Sequence, residues 1–288
     1  MDLLHVFILA IIQGFAELLP VSSSAHVILA EKLMGYDPSA PDMTFLLVML
    51  HTGTMFAVIV YFWKSWRKTY FSSWESFKKQ AFYIILATLI TGVLGLALQS
   101  MIKHVFFGGA SSFEIEHLFS NSKLMAAALI SAGVLIILSS RLDRGQQGEI
   151  SLRSASIIGA VQALCLPFRG FSRSGATIST GLFLGVSRQK AEEFSFALAV
   201  VLTPAVILKE LYRLVHAQGL QTVAHGQVFH SMVPSLLGMC FSFGAGLLAL
   251  KWLSSWLEHG RWHLFGLYCI GFAIVVLCKH PLNAIAKF

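Results

Sequence analysis

The chain has 288 residues, 56% of them hydrophobic and only 12% charged, with a formal net charge of +7. A soluble domain carries about 25% charged residues, so this balance excludes an ordinary water-soluble globule and indicates an all-α polytopic membrane protein. The positive charge does not indicate nucleic-acid binding, because much of it sits in short segments between apolar runs.

In chain order, residues 3–19 and 18–34 are apolar but short or interrupted. They read as half-helices rather than as spans of about 20 residues. Asp2 is the only early charge, so no cleavable signal is expected there. Where the two stretches meet lies a polar cluster. Gln13 and Glu17 are four apart and share one helix face. Pro20 cannot continue that helix, and Leu19 before it is biased towards extended backbone. Ser22, Ser23 and Ser24 then supply hydroxyls at the start of a second half-helix, with His26 in its first turn. Such groups are costly in hydrocarbon and mark a functional site. The alternative is a polar patch that joins helices, with the serines as caps.

An apolar span at 44–63 leads into a basic loop, 64–80, holding Lys64, Arg67, Lys68, Lys78 and Lys79. Spans at 81–98 and 124–139 follow, and then loop 140–153 with Arg141, Arg144 and Arg153. Lys and Arg bias places loops 64–80 and 140–153 on the cytoplasmic side. Segments 99–122 and 209–231 are poorer in both residues for their length and are expected outside.

A second broken pair occupies 154–168 and 174–187. Here Gln162 precedes breaks at Pro167 and Gly170, and Ser172, Arg173, Ser174 and Thr177 open the next half-helix. A positive helix end, hydroxyl donors and a planar guanidinium suit a phosphate oxyanion. Arg169 reads either as a second clamp or as a side chain snorkelling to the interface. Arg173 reads as a phosphate ligand or as an ion-pair partner of Glu17. Spans at 194–208, 232–250 and 262–278 complete the chain. Cys165, Cys240, Cys269 and Cys278 lie in apolar segments without metal-type spacing and are expected to be small buried hydrophobes.

The two clusters repeat each other. Ser22–Ile28 aligns with Ser172–Ile178, and Gly35 then falls on Gly185. One membrane domain is therefore expected over 1–288, with repeat 1 at about 1–140 and repeat 2 at about 154–280. The charged loops imply that the copies are inverted, each a re-entrant half-helix hairpin followed by three transmembrane helices. The segment after the first hairpin is acidic, with Glu31, Asp37 and Asp42. The segment after the second carries Arg188 and Lys190, although Glu192 and Glu193 follow. Inverted repeats with broken helices place polar sites near the bilayer midplane.

One copy offers acid–base groups and the other an anion cradle, a pairing suited to phosphoryl chemistry. Glu17 facing an anionic substrate calls for a bridging divalent cation, Mg²⁺ or alternatively Ca²⁺. Arg173 would stabilise the transition state and His26 would serve as general base.

These residues resemble the bacterial undecaprenyl-diphosphatase family, the bacitracin-resistance proteins. The first signature runs from Gln13 to Glu17 and then from Leu19 to His26. The second runs from Gly170 to Thr177 and continues into Gly185-Val186-Ser187-Arg188 and Phe194-Ser195-Phe196. Gln13 stands where the family often has Glu, and Pro167-Phe168-Arg169-Gly170 where it commonly has Pro-Gly. The resemblance covers nearly the whole chain. It implies hydrolysis of undecaprenyl diphosphate to undecaprenyl phosphate and inorganic phosphate, recycling the lipid carrier of cell-wall synthesis and conferring bacitracin resistance. It implies a multi-pass enzyme of the bacterial inner membrane, dependent on a divalent cation and opening to the periplasmic side. Glu17, Ser23, His26 and Arg173 become the catalytic core, with Glu17 towards the metal. Gln13, Ser22, Ser24, Ser172, Ser174 and Thr177 become substrate-binding groups, with Arg169 a candidate. Ser23 could attack phosphorus with His26 as base, or His26 could activate water. Membrane lipid is the surrounding partner, and a homodimer is left open. The rival from another class is a lipid-carrier flippase or transporter using the same midplane anion site.

Overall fold

A computed structural model of the chain describes residues 2–36, 41–107, 122–142, 147–168, 170–223 and 227–279. Among them lie ten helices and no strand, apart from one isolated bridge pairing Gly148 with Val186. The first four are α1 (Leu3–Leu18), α2 (Ser23–Leu33), α3 (Pro41–Thr69) and α4 (Trp74–Phe107). Then come α5 (Ser122–Leu142), α6 (Leu152–Ala163) and α7 (Arg173–Phe183). The last three are α8 (Arg188–Val223), α9 (Gln227–Glu258) and α10 (His263–Lys279).

Segments Phe45–Thr69, Trp74–Val105, Ser122–Leu142 and Val233–Glu258 are long and apolar enough to cross a membrane. On α4 the exposed side chains Phe82, Ile85, Leu89, Val93 and Leu96 follow helical spacing. A stripe of that size would be a liability in water and is at home against lipid. Helices α2, α6 and α7 have 11, 12 and 11 residues. At about 1.5 Å per residue they fall well short of a hydrocarbon core of about 30 Å.

The helices run further than the apolar runs. Helix α3 continues to Thr69 and α4 begins at Trp74, so most of the basic stretch 64–80 is helical. Helix α8 extends to Val223 and α9 starts at Gln227, so the expected outer loop 209–231 is almost entirely helix. Hydropathy marks where a segment leaves the bilayer, whereas a helix ends only at a breaker or a cap. Neither Pro nor Gly stands between Lys64 and Thr69 to supply one. Two other readings change. Glu31, Glu192 and Glu193 are buried within helices, not solvated loop charges. Cys269 is buried, but Cys165 is only half-buried and Cys240 and Cys278 are exposed.

The chain forms two compact units, each drawing segments from both halves of the sequence. The first contains α1, α2, α3 as far as Trp66, and Phe196–Leu253 from α8 and α9. Its core gathers Val6, Leu9 and Ala10 of α1, Val27 and Ala30 of α2, and Met43, Leu46 and Leu50 of α3. Helix α9 approaches α3 so closely that a Cβ on Gly53 would overlap the Met239 carbonyl and the Ser242 hydroxyl. That hydroxyl donates across the contact to the Leu50 carbonyl at 3.0 Å.

The second unit holds Pro20–Ser22, Arg67–Ser195 and the chain from Ser254. Here α6 packs on α4 and on α7, and α5 packs on α7 and α10. Trp262, fully buried, donates its indole N–H towards Ser139 Oγ of α5 and Ser179 Oγ of α7, each at 3.2 Å.

The short helices α2 and α7 match in detail. Both have 11 residues and begin at positions that the repeat aligns, Ser23 and Arg173. Both end on a glycine at positive φ, Gly35 at 77° and Gly185 at 84°. Beyond each glycine the chain closes back: Tyr36 N–H on Glu31 O at 2.9 Å, and Val186 N–H on Gly181 O at 3.0 Å. This is a Schellman closure, which glycine permits because it lacks a Cβ.

Candidate active site

Helix α1 stops where proline requires it to. Leu19 is extended (φ −70°, ψ 151°), and its N–H makes the helix's closing bond to Phe15 O. Ser22 is the only described non-glycine residue at positive φ, 68°, and it is buried. A serine in that region costs about 1–3 kcal/mol and persists only where its surroundings over-determine it. Helix α2 starts directly afterwards at Ser23.

This break turns Ser23 back onto α1. Ser23 Oγ donates to Glu17 Oε2 at 2.7 Å, and Gln13 Nε2 donates to the same oxygen at 3.2 Å. His51 of α3 presents Nε2 to that oxygen at 3.6 Å. The His51 Nδ1 lies 2.7 Å from the Leu47 carbonyl. A carbonyl can only accept, so Nδ1 carries a hydrogen, and Nε2 is the nitrogen turned towards Glu17. The Glu17 side chain is 19% exposed and that of His51 35%, so the pair remains reachable. Ser24 and His26 are half-buried on the first turn of α2.

The second cluster opens α7. Ser172 caps the helix, its Oγ accepting from Gly175 N–H at 3.2 Å, with Ser174 Oγ 3.5 Å away. The Thr177 hydroxyl donates to Arg173 O at 2.8 Å, so its contact with Ser195 Oγ at 2.6 Å is one it accepts. Arg173 Nη1 donates to Ser195 O at 3.4 Å. Arg173, Ser172, Ser174 and Thr177 are thus gathered at one positive helix end. The Gly175 N–H is already taken by the cap, and that of Ala176 by Ser172 O. Arg169 lies outside the described residues.

The Pro20 break belongs to the same unit as this cluster. A Cβ on Gly175 would stand 3.2 Å from Pro20 Cβ and 2.9 Å from Ile136 Cδ1. The Pro20 carbonyl, released from helical bonding, accepts from Cys269 Sγ at 3.1 Å.

Two residues of these clusters were not among the sequence candidates. His51 sits in the middle of the apolar run 44–63, and an imidazole in such a run is itself a signal. Ser195 carries no such signal, since a serine in an apolar helix commonly bonds its own backbone. Among the described residues no three His, Cys, Asp or Glu side chains form a group able to hold a metal ion. A divalent cation at Glu17 would therefore need oxygens from elsewhere, and a diphosphate supplies them.

Apolar helices interrupted by polar, hydroxyl-rich breaks, with a carboxylate held at one and a guanidinium at the other, define a multi-pass membrane protein. The chain belongs to the family described as bacitracin resistance protein BacA, whose family model matches residues 6–275. It is 81% identical over 278 residues to "Undecaprenyl-diphosphatase 2" of Acinetobacter baylyi, covering 96% of this chain and 98% of that one. It is 32% identical to "Undecaprenyl-diphosphatase" of Korarchaeum cryptofilum, covering 96% and 99% of the two chains. It is 33% identical to "Undecaprenyl-diphosphatase 1" of Burkholderia pseudomallei, covering 94% of each.

Proposed function

We infer that this chain is an undecaprenyl-diphosphatase of the bacterial inner membrane, hydrolysing undecaprenyl diphosphate to undecaprenyl phosphate and inorganic phosphate. The observation that carries the chemistry is the Ser23 hydroxyl held on the Glu17 carboxylate at 2.7 Å. A serine is a weak nucleophile until a neighbouring base directs and accepts its proton. In the proposed step, Ser23 Oγ bonds to the terminal phosphorus and its proton passes to Glu17. The bridging P–O bond breaks, and undecaprenyl phosphate leaves with that oxygen. Water then cleaves the phosphoserine with His26 as base, which returns the Ser23 hydroxyl and frees phosphate. Gln13 holds Glu17 in place.

Arg173 binds the diphosphate oxygens through its fork, and Ser172, Ser174 and Thr177 shape the helix end that receives them. Ser22, Ser24 and Arg169 are assigned to the substrate's polar head. When a divalent cation is bound, Glu17 and diphosphate oxygens would hold it, and it would neutralise charge on the phosphates. Helices α1–α2 and α6–α7 are read as re-entrant hairpins of an inverted repeat. The brevity of α2, α6 and α7 and the matched ends of α2 and α7 support that reading. The site is assigned to the periplasmic side.

The test is phosphate release from undecaprenyl diphosphate by the purified chain in lipid nanodiscs. Release that needs a divalent cation supports the reading. Passage of substrate across vesicles without any phosphate release would favour the flippase instead.

A further inference from the structure

We propose that the head of α4, with the turn before it, binds the phosphate headgroup of an anionic phospholipid whose acyl chains lie along the exposed face of the same helix. The inference is independent of the phosphatase reading. It starts from charge without counter-charge. Arg67 and Lys68 close α3, Lys78 and Lys79 lie in the second turn of α4, and all four are exposed. Glu75 is the one carboxylate between Arg67 and Gln80. It stands three and four residues before Lys78 and Lys79, the spacing at which helical ions pair. Yet among the described residues none of the four cations takes part in an ion pair.

The turn itself is firmly built. Ser73 caps α4: its Oγ accepts from Ser76 N–H at 3.1 Å and its carbonyl from Phe77 N–H at 2.9 Å. The Phe77 ring stacks on Trp74 at 5.4 Å and on Phe71 at 5.5 Å. Trp74 is nonetheless 69% exposed, and the Lys78 ammonium lies over its ring, 5.9 Å from the centroid. Aromatic rings beside Lys and Arg are the side chains that settle at headgroup level.

The face beneath completes the match. Trp74 and Lys78 are followed at steps of three or four by Phe82, Ile85, Leu89, Val93 and Leu96, all exposed. Cation and apolar side chains therefore share one face of α4. From Phe82 to Leu96 that face runs about 21 Å, enough for the acyl chains of one leaflet of a core about 30 Å thick. Cations above an apolar ridge complement a phosphodiester above acyl chains, and each one strengthens attraction to anionic lipid about fivefold. The ridge is exposed along its length and encloses no chain, so it fits the glycerophospholipids that fill a bilayer.

The experiment titrates the purified full chain in detergent with phosphatidylglycerol or phosphatidylcholine of the same acyl chains, and native mass spectrometry counts the lipid retained. The wild type is expected to retain phosphatidylglycerol about tenfold or more tightly. In Lys78→Gln/Lys79→Gln that preference falls by about tenfold, and Lys78→Arg/Lys79→Arg restores it. Arg153→Gln/Lys251→Gln, which removes the same charge from exposed positions elsewhere, keeps it. Equal retention of the two lipids by the wild type, an undiminished preference in Lys78→Gln/Lys79→Gln, or an equal loss in Arg153→Gln/Lys251→Gln overturns the proposal. So does displacement of phosphatidylglycerol by an equimolar amount of undecaprenyl phosphate, which would assign the face to a polyprenyl chain instead.

Discussion

At the scale of single residues, the proposed chemistry rests on where one hydroxyl points. Ser23 reaches Glu17 because Pro20 ends α1 and the left-handed Ser22 reverses the chain within three residues. Ser23→Ala removes the proposed nucleophile and is expected to lower turnover by at least about 10²-fold, the smaller end of what a positioned catalytic group contributes. Single-turnover hydrolysis in ¹⁸O-labelled water, with mass spectrometry of the peptide holding Ser23, checks the route. The serine route predicts a transient phosphoserine, whereas direct water attack leaves none. At Ser22 the backbone conformation, not the hydroxyl alone, carries a cost. Ser22→Gly is expected to keep or raise the thermal midpoint in detergent, while the β-branched Ser22→Val lowers it through a stability loss on the order of 1–3 kcal/mol. The candidate site residues Glu17, His26 and Arg173 were legible in the sequence as candidates, because Glu, His and Arg are expensive in an apolar run and stand out there. His51 carries the same mark, but it lies in a span rather than at a break, away from the residues that draw attention. Ser195 lies in the Phe194-Ser195-Phe196 continuation of the second signature, but its bond with Thr177, 18 residues away in the chain, shows only in the structure.

At the scale of elements, breaks were more legible than ends. Pro20 and the positive-φ glycines, Gly35 and Gly185, end helices for local reasons that a sequence displays. The far end of α3 has no such marker, and that helix runs beyond its apolar stretch, as α8 also does. Burial of charge was the least legible feature. Glu192 opens α8 ahead of the apolar run 194–208 and reads as a solvated charge, yet it is buried against Ser254. Burial pushes its carboxyl from 4.5 up to about 8, opposed by the Ser254 hydrogen bond and assisted by Glu193 and Glu258. Between those two values the folded chain holds a proton that the unfolded chain has lost. Stability contributed by this group is therefore present below pH 4.5, falls as pH rises through the window, and is flat above about 8. Glu192→Gln is expected to flatten that fall, as read from thermal midpoints of wild type and variant at pH 5 and pH 9. An unchanged pH profile in the variant would contradict the assignment. The same scale holds the Trp262 staple. Trp262→Phe removes the indole donor shared by Ser139 and Ser179 and should cost about 1 kcal/mol, seen as a lower midpoint with the fold retained.

At the scale of the molecule, the proposed duplication accounts for two polar breaks of unlike chemistry in one chain. Equal helix lengths, aligned starts and the same glycine closure persist in α2 and α7. Their side chains differ, one break holding a carboxylate and an imidazole and the other a guanidinium. Each compact unit takes segments from both halves of the chain, an interleaving that no local pattern in a sequence can display. The central claim is that hydrolysis needs both breaks at once. Its most direct measurement is cation-dependent phosphate release from undecaprenyl diphosphate by the wild type, Glu17→Gln and Arg173→Ala, each folded in nanodiscs. The account predicts that either substitution alone lowers the rate by at least about 10²-fold, and full activity in either variant would contradict it.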